Sequence, residues 1–175
     1  MEEMLPALSF VLGGAASGKS VIAENLILNS KLMPIYVATS RVWDAETKNR
    51  VKVHKSRRDA TWTTIEAPFD LSPALQSAIP ENAVLIDCAT MWLTNHVLDE
   101  NPLDVAQSQL FAALDDCTAP VVIVSNEVGQ GIVPDNALSR QFREAQGRLN
   151  IALAARADLV VQVVAGLPNV LKGTL

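Results

Sequence analysis

The stretch SFVLGGAASGKSVIAENL, residues 9–26, decides how this chain is read. Gly13, Gly14, Ala15, Ala16, Ser17, Gly18, Lys19 and Ser20 have the order and spacing of a phosphate-binding loop. An apolar run precedes them and a helical pattern follows, which is the context such a loop requires. Glycines let backbone amides approach phosphate oxygens with no Cβ in the way. The helix that follows turns its amino-terminal amides toward the anion. Lys19 is placed to reach the β and γ phosphates of a nucleotide, and Ser20 to offer a hydroxyl to Mg²⁺.

Outward from the loop, short apolar runs alternate with helical patterns. The runs are Leu8 to Leu12, Pro34 to Ala38, Ala83 to Cys88, Val121 to Ser125 and Leu159 to Val164, with WTTIE at 62–66 as a further candidate strand. They are β-branched and largely uninterrupted, as strands covered on both faces are. Helical patterns follow the loop from Lys19 to Asn29 and recur over 44–59, over 103–114 and over 136–155, the last with Asn136 at an N-cap position. The alternation predicts an α/β fold, a mostly parallel sheet flanked by helices. No linker or repeat divides it, so residues 1–175 are expected to form one nucleotide-binding catalytic domain.

Composition narrows the classes. Of the 175 residues 49% are hydrophobic but only 5% aromatic, so the core has to be aliphatic. The formal net charge of -5 argues against a nucleic-acid partner, which calls for a basic face. No apolar run reaches the roughly 18 residues of a membrane span, and the amino terminus lacks the basic start of a signal peptide. A soluble cytoplasmic protein is expected. Cys88 reads as a small buried hydrophobe, and neither it nor Cys117 belongs to a metal-binding or disulfide pattern.

Asp87 ends the third apolar run. At the carboxyl end of a parallel strand it is placed to join a Mg²⁺ shell, the alternative being a helix cap or turn. The loop alone does not choose among kinase, ATPase and GTPase. A guanine-reading NKxD segment is absent; SNEV at 125–128 is the nearest fragment and lacks the lysine and the aspartate.

A second constellation lies in NRVKVHKSRRDATWTTIE, residues 49–66. On a helix Arg50, His54 and Arg58 share a face, with Lys55 and Arg57 on its flanks. Neutral imidazole attacks phosphorus well, and neighbouring cations offset the phosphate charge. A solvated basic helix with an incidental histidine is the other reading. His96, in an apolar segment, is expected to be structural or on the surface.

Taken in order, six pieces resemble the bifunctional adenosylcobinamide kinase / adenosylcobinamide-phosphate guanylyltransferase family of cobalamin biosynthesis. They are GGAASGKS; YVATS at 36–40; the run His54, Arg58, Trp62, Thr64 and Glu66; NEVGQGIVP at 126–134; FREAQGRLN at 142–150; and the closing VVAGLPNVLKG. Family loops often carry arginine where Ala16 stands, and glutamate where Asp87 stands. The resemblance implies a phosphate-loop NTPase fold of the RecA-like type. It implies transfer of the γ-phosphate of ATP or GTP to the aminopropanol hydroxyl of adenosylcobinamide. Transfer of GMP from GTP to the resulting adenosylcobinamide phosphate follows, through a guanylylated histidine. That nucleophile falls on His54. The nucleotide contacts fall on Gly13 to Ser20, on Ala38, Thr39 and Ser40, on Lys55, Ser56, Arg57 and Arg58, and on Glu66 and Asp87. Lys19 is catalytic in both steps, Ser20 and Asp87 are the metal residues, and the family forms homotrimers. Glu127, in the NEVGQGIVP segment, is left as either a base for the substrate hydroxyl or a structural residue.

Overall fold

The computed structural model describes residues 4–41 and 59–175. Strand β1 is Leu8–Gly13, β2 Met33–Ala38, β3 Thr63–Glu66, β4 Asn82–Asp87, β5 Val121–Asn126, β6 Leu159–Val164 and β7 Leu167–Lys172. Helix α1 is Lys19–Asn29, α2 Ser72–Gln76, α3 Ala89–Leu98, α4 Leu103–Asp116 and α5 Ala137–Arg156. The strands form one sheet in the order β3-β2-β4-β5-β1-β6-β7. Every neighbouring pair is parallel except β6 and β7, which pair antiparallel. The α/β sheet predicted from the alternation of apolar runs is therefore present.

The sheet is buried on both sides, and strand alternation sorts its residues between two cores. Phe10, Ile35, Val37, Ile86 and Ile123 face the core made with α2, α3, α4 and α5. Val11, Tyr36, Leu85, Val122 and Val161 face the core made with α1. Both faces are apolar along β1, β2, β4, β5 and β6, so those strands read as continuous runs and not as alternations. Among the described residues α1 is the only helix that supplies buried side chains to the second face. It contacts β1, β4, β5 and β6, which puts its amino end beside the carboxyl ends of those strands.

Three elements extend the expected set. Helix α2 is five residues long, too short to show a period. Helix α3 carries Trp92, Leu93, Asn95 and His96 on its buried face, and its mixed polar and apolar sequence hid it. Strand β7 is exposed at every position, so no burial pattern marks it. The helical pattern expected over residues 44–59 lies, but for Asp59, outside the described residues. The N-cap expected at Asn136 is present: its side chain accepts from the Ser139 amide at 2.8 Å.

The buried face of α3 carries polar groups that lock the chain just beyond the ends of β2 and β3. Fully buried Asn95 donates to the carbonyls of Thr39 and Pro68, each at 2.8 Å. It ties the chain leaving β2 to the chain leaving β3. Trp92 Nε1 donates to the Phe69 carbonyl at 2.7 Å, and His96 stacks edge-on against Trp92 and Phe69. His96 is thus structural. Replacing Asn95 by Ala leaves two buried carbonyls without a donor and is expected to cost about 3 kcal/mol. Urea denaturation should show a lower midpoint at an unchanged slope. Burial holds the His96 imidazole below its ordinary value, against weaker opposing pulls from the Phe69 carbonyl and Asp99. The unfolded chain therefore takes up this proton first, and stability falls as pH drops below about 6.5. Calorimetry should show that the loss of Tm on acidification shrinks in His96→Gln.

Candidate active site

The phosphate-binding loop joins β1 to α1, and its geometry follows from crowding. A Cβ at Gly13 would lie 2.5 Å from Ser17 Oγ and 2.7 Å from the Val163 carbonyl oxygen. Gly18 has a φ of 93°, in the left-handed region, and a Cβ there would meet the Gly166 Cα at 3.0 Å. Both positions require glycine. The turn between β6 and β7, with Ala165 and Gly166 at positive φ, presses on the loop and donates Gly166 N–H to the Ser17 carbonyl at 2.8 Å.

This packing leaves the amino end of α1 open. Gly18 is its N-cap, so no side chain caps it, and its first turn carries no acidic residue. The first amides of a helix have no partner within it, and with the helix dipole they favour an anion. Lys19 Nζ donates to the Gly14 carbonyl at 2.9 Å, folded along the loop. Gly13 to Ser20 are thus one continuous structure.

Of the other sequence-selected residues, Ala38, Thr39, Ser40, Glu66 and Asp87 lie along the carboxyl edge of the sheet. Ala38 is level in register with both Glu66 and Asp87. Asp87 follows Leu85 in the alternation, so it points to the α1 side, where Tyr36 Oη donates to its Oδ2 at 2.7 Å. Asp87 is not a helix cap: Cys88 caps α3, its sulfur accepting from Met91 N at 3.4 Å. Burial, helped by the neighbouring Asp87, pushes the Cys88 thiol up to about 12, against the Met91 and Thr90 amides and Lys19. Two oxygen donors, the Ser20 hydroxyl and the Asp87 carboxylate, suit Mg²⁺. This ion binds through one or two protein oxygens plus substrate phosphates. No cluster of three or more acidic, histidine or cysteine side chains able to hold a metal exists among the described residues.

Thr39 is fully buried, and all its polar groups are engaged. Its hydroxyl donates to the Cys88 carbonyl at 2.7 Å and accepts from Cys88 N at 2.8 Å. Its amide donates to Asp87 O and its carbonyl accepts from Asn95. Of the Ala38, Thr39 and Ser40 trio, Thr39 thus fixes the end of β2 against the end of β4. Ala38 and Ser40 stay half-buried and Glu66 is exposed. His54, Lys55, Ser56, Arg57 and Arg58 lie outside the described residues, in the connection from β2 to β3.

Features that sequence reasoning passed over complete the setting. The β6–β7 turn is one; an Ala-Gly pair between apolar runs was its signal. The other is a buried polar set: Gln146 Nε2 donates to Ser125 Oγ and Asn150 Oδ1, each at 2.9 Å, and Ser125 Oγ donates to Asn150 Oδ1 at 2.7 Å. These bonds bolt the FREAQGRLN helix to the end of β5, and only the polar residues at helical spacing hinted at them.

The comparisons with known proteins agree with this geometry. The family model for cobinamide kinase / cobinamide phosphate guanyltransferase matches residues 9–171. The bifunctional adenosylcobalamin biosynthesis protein CobP of Pseudomonas aeruginosa is 42% identical, over 93% of this chain and 96% of its own. The bifunctional adenosylcobalamin biosynthesis protein CobU of Salmonella typhimurium is 40% identical, over 90% of this chain and 95% of its own. In fold alone, the flagellar accessory protein FlaH from Methanocaldococcus jannaschii is similar. It covers 98% of this chain and 80% of its own at a TM-score of 0.54 and 12% identity. The phosphate loop, the sheet order and these matches together place the chain in the cobinamide kinase / cobinamide phosphate guanyltransferase family.

Proposed function

We propose that this chain carries out two successive transfers from nucleotides held by one loop. In the first, the hydroxyl of adenosylcobinamide attacks the γ-phosphorus of ATP or GTP. The bond to the β-phosphate oxygen breaks and the nucleoside diphosphate leaves. In the second, a neutral His54 ring nitrogen attacks the α-phosphorus of GTP. A nitrogen–phosphorus bond forms and pyrophosphate leaves. The phosphate of adenosylcobinamide phosphate then attacks the same phosphorus, breaks that bond, restores His54 and yields adenosylcobinamide-GDP. The observation that carries the reading is the open, uncapped amino end of α1 in a chain of this family.

The residues have distinct tasks. The amides from Gly13 to Ser20 and the Lys19 ammonium hold the β and γ phosphates and neutralise charge that grows in both transition states. Ser20 and Asp87, which fit Mg²⁺ by their oxygen chemistry, would hold it. When bound, the ion would supply positive charge that offsets the charge of the phosphates. Tyr36 fixes the Asp87 carboxylate through its 2.7 Å bond. Lys55, Ser56, Arg57 and Arg58, together with Ala38, Thr39, Ser40 and Glu66, are assigned to the rest of the nucleotide; for Thr39 the task is to position the end of β2. Direct attack of one phosphate on another anionic phosphorus is electrostatically unfavourable. A covalent histidine intermediate divides it into two displacements. We further assign the activity to one domain over residues 1–175, working in the cytoplasm as the homotrimer that the resemblance implies. No described helix is long and apolar enough to cross a membrane.

Two experiments test this. Incubation with Mg²⁺ and α-labelled GTP, followed by denaturation, should leave an acid-labile, base-stable label on the protein. γ-Labelled GTP should leave none, and His54→Ala should abolish the label. An unlabelled wild type would defeat the guanylyl-transfer reading while leaving phosphoryl transfer standing. Lys19→Ala should lower both activities at least a hundredfold, because both depend on the same triphosphate grip. Retention of phosphorylation in that variant would overturn the role given to the loop.

A further inference from the structure

The loop that follows β5 builds a second wall beside the phosphate loop. Asn126 pairs in register with Gly13, and the Glu127 amide donates to the Gly13 carbonyl at 3.0 Å. Glu127 is thus one strand spacing, about 4.8 Å, from the start of the phosphate loop. Between them opens a cleft of about 520 Å³, within the usual range for small-molecule sites. Its walls are Gly14 to Ser17 on one side, Glu127 and Gln130 on the second, and Gln162 to Ala165 on the third. Among the described residues Glu127 is the only ionisable side chain that lines it.

The carboxylate is held there by construction. Glu127 Oε1 accepts from the Gly129 amide. A Cβ at Gly129 would lie 2.8 Å from that oxygen, so the position has to be glycine for the carboxylate to keep its place. Arg143, from α5, donates to the carbonyls of Gly129 and Gly131, and Arg140 to those of Pro134 and Asp135. These arginines are engaged in shaping the loop, and Arg148 pairs with Glu144 on the surface. Glu127 Oε2 accepts from no group among the described residues.

We propose that this cleft receives the alcohol-bearing arm of the phosphoryl acceptor and that Glu127 is the general base for its hydroxyl. The inference rests on the two-transfer reading above and deepens its first step. Glu127 takes the hydroxyl proton as the oxygen bonds to the γ-phosphorus. The bond from that phosphorus to the bridging oxygen breaks, and the electron pair leaves with the nucleoside diphosphate. Ser17 lies in the same wall, its hydroxyl buried with no hydrogen-bond partner among the described residues. Gln130 and Gln162 add amide donors and acceptors, while Val128, Val163 and Val164 add apolar surface.

The test uses the full-length protein with adenosylcobinamide and γ-labelled ATP. Glu127→Gln should lower the kcat of phosphorylation by at least a hundredfold, as loss of a general base does. Covalent labelling by α-labelled GTP involves no acceptor hydroxyl and should fall by a far smaller factor. Glu127→Asp, which keeps a carboxylate, should recover part of the lost rate. Gln162→Trp, which fills the cleft from the opposite wall, should raise the KM for adenosylcobinamide at least tenfold with little change in the KM for ATP. Phosphorylation within threefold of wild type in Glu127→Gln would overturn the base assignment. Equal losses of phosphorylation and labelling in that variant would do the same, since they indicate damage to the shared loop. An unchanged acceptor KM in Gln162→Trp would overturn the cleft. A wild type that phosphorylates no adenosylcobinamide would instead overturn the two-transfer reading on which both rest.

Discussion

The amino end of α1 is the constraint around which the rest of this molecule is arranged. Leaving backbone amides without partners costs free energy wherever water is excluded. Most helices meet that cost with a capping side chain, worth about 1 kcal/mol. Here a left-handed glycine stands at the cap and supplies no such group. The open end is held in place from behind. β1 enters the loop from the middle of the sheet, and the β6–β7 turn presses on it through the Gly18–Gly166 contact. An aliphatic core on both faces of the sheet keeps the strands from shifting. The anion site is therefore rigid before any anion arrives, which lowers the ordering cost of binding.

From that fixed point the strand order assigns places. β5 lies between β1 and β4, so Asp87 stands two strand spacings from Val11, about 10 Å, and just short of the start of the phosphate loop. The aim of Asp87 is set by Tyr36, and the backbone after it is set by the paired bonds between Thr39 and Cys88. Polar groups are buried here only where bonds compensate them, as burial demands. Asn95 extends the same logic to the outer strands and ties the chain leaving β2 to the chain leaving β3.

Much of this was legible in the sequence because the signals were local. The loop spacing, the apolar strand runs and the Asn136 cap each depend on neighbours a few residues away. What escaped was non-local. Thr39 reads as one small polar residue at a strand end; only the fold brings it against Cys88, 49 positions later. The Gln146, Ser125 and Asn150 set joins a helix face to a strand end, and no spacing within either predicts the meeting. β7 shows no burial period because all its residues are exposed. His54 was legible by its motif run, and its segment lies outside the described residues.

The sheet order also bears on how two reactions share one triphosphate. The cleft beside Glu127 lies at β5, β1 and β6, while the connection carrying His54 joins β2 to β3 at the far edge. On the proposed reading, the acceptor hydroxyl approaches the γ end of the nucleotide and His54 approaches the α end. Opposite approaches remove the need for the two nucleophiles to compete for one space. They also impose an order. After phosphoryl transfer the loop holds a nucleoside diphosphate, which lacks the γ-phosphate that Lys19 helps to grip. It has to leave before GTP can dock and guanylylate His54. The acceptor phosphate, made at the γ end, then has to reach a phosphorus bonded to His54. Pyrophosphate release vacates the loop between these positions. The same loop is thereby emptied twice in each full cycle, so a grip strong enough to hold a triphosphate has to be weak enough to release what remains.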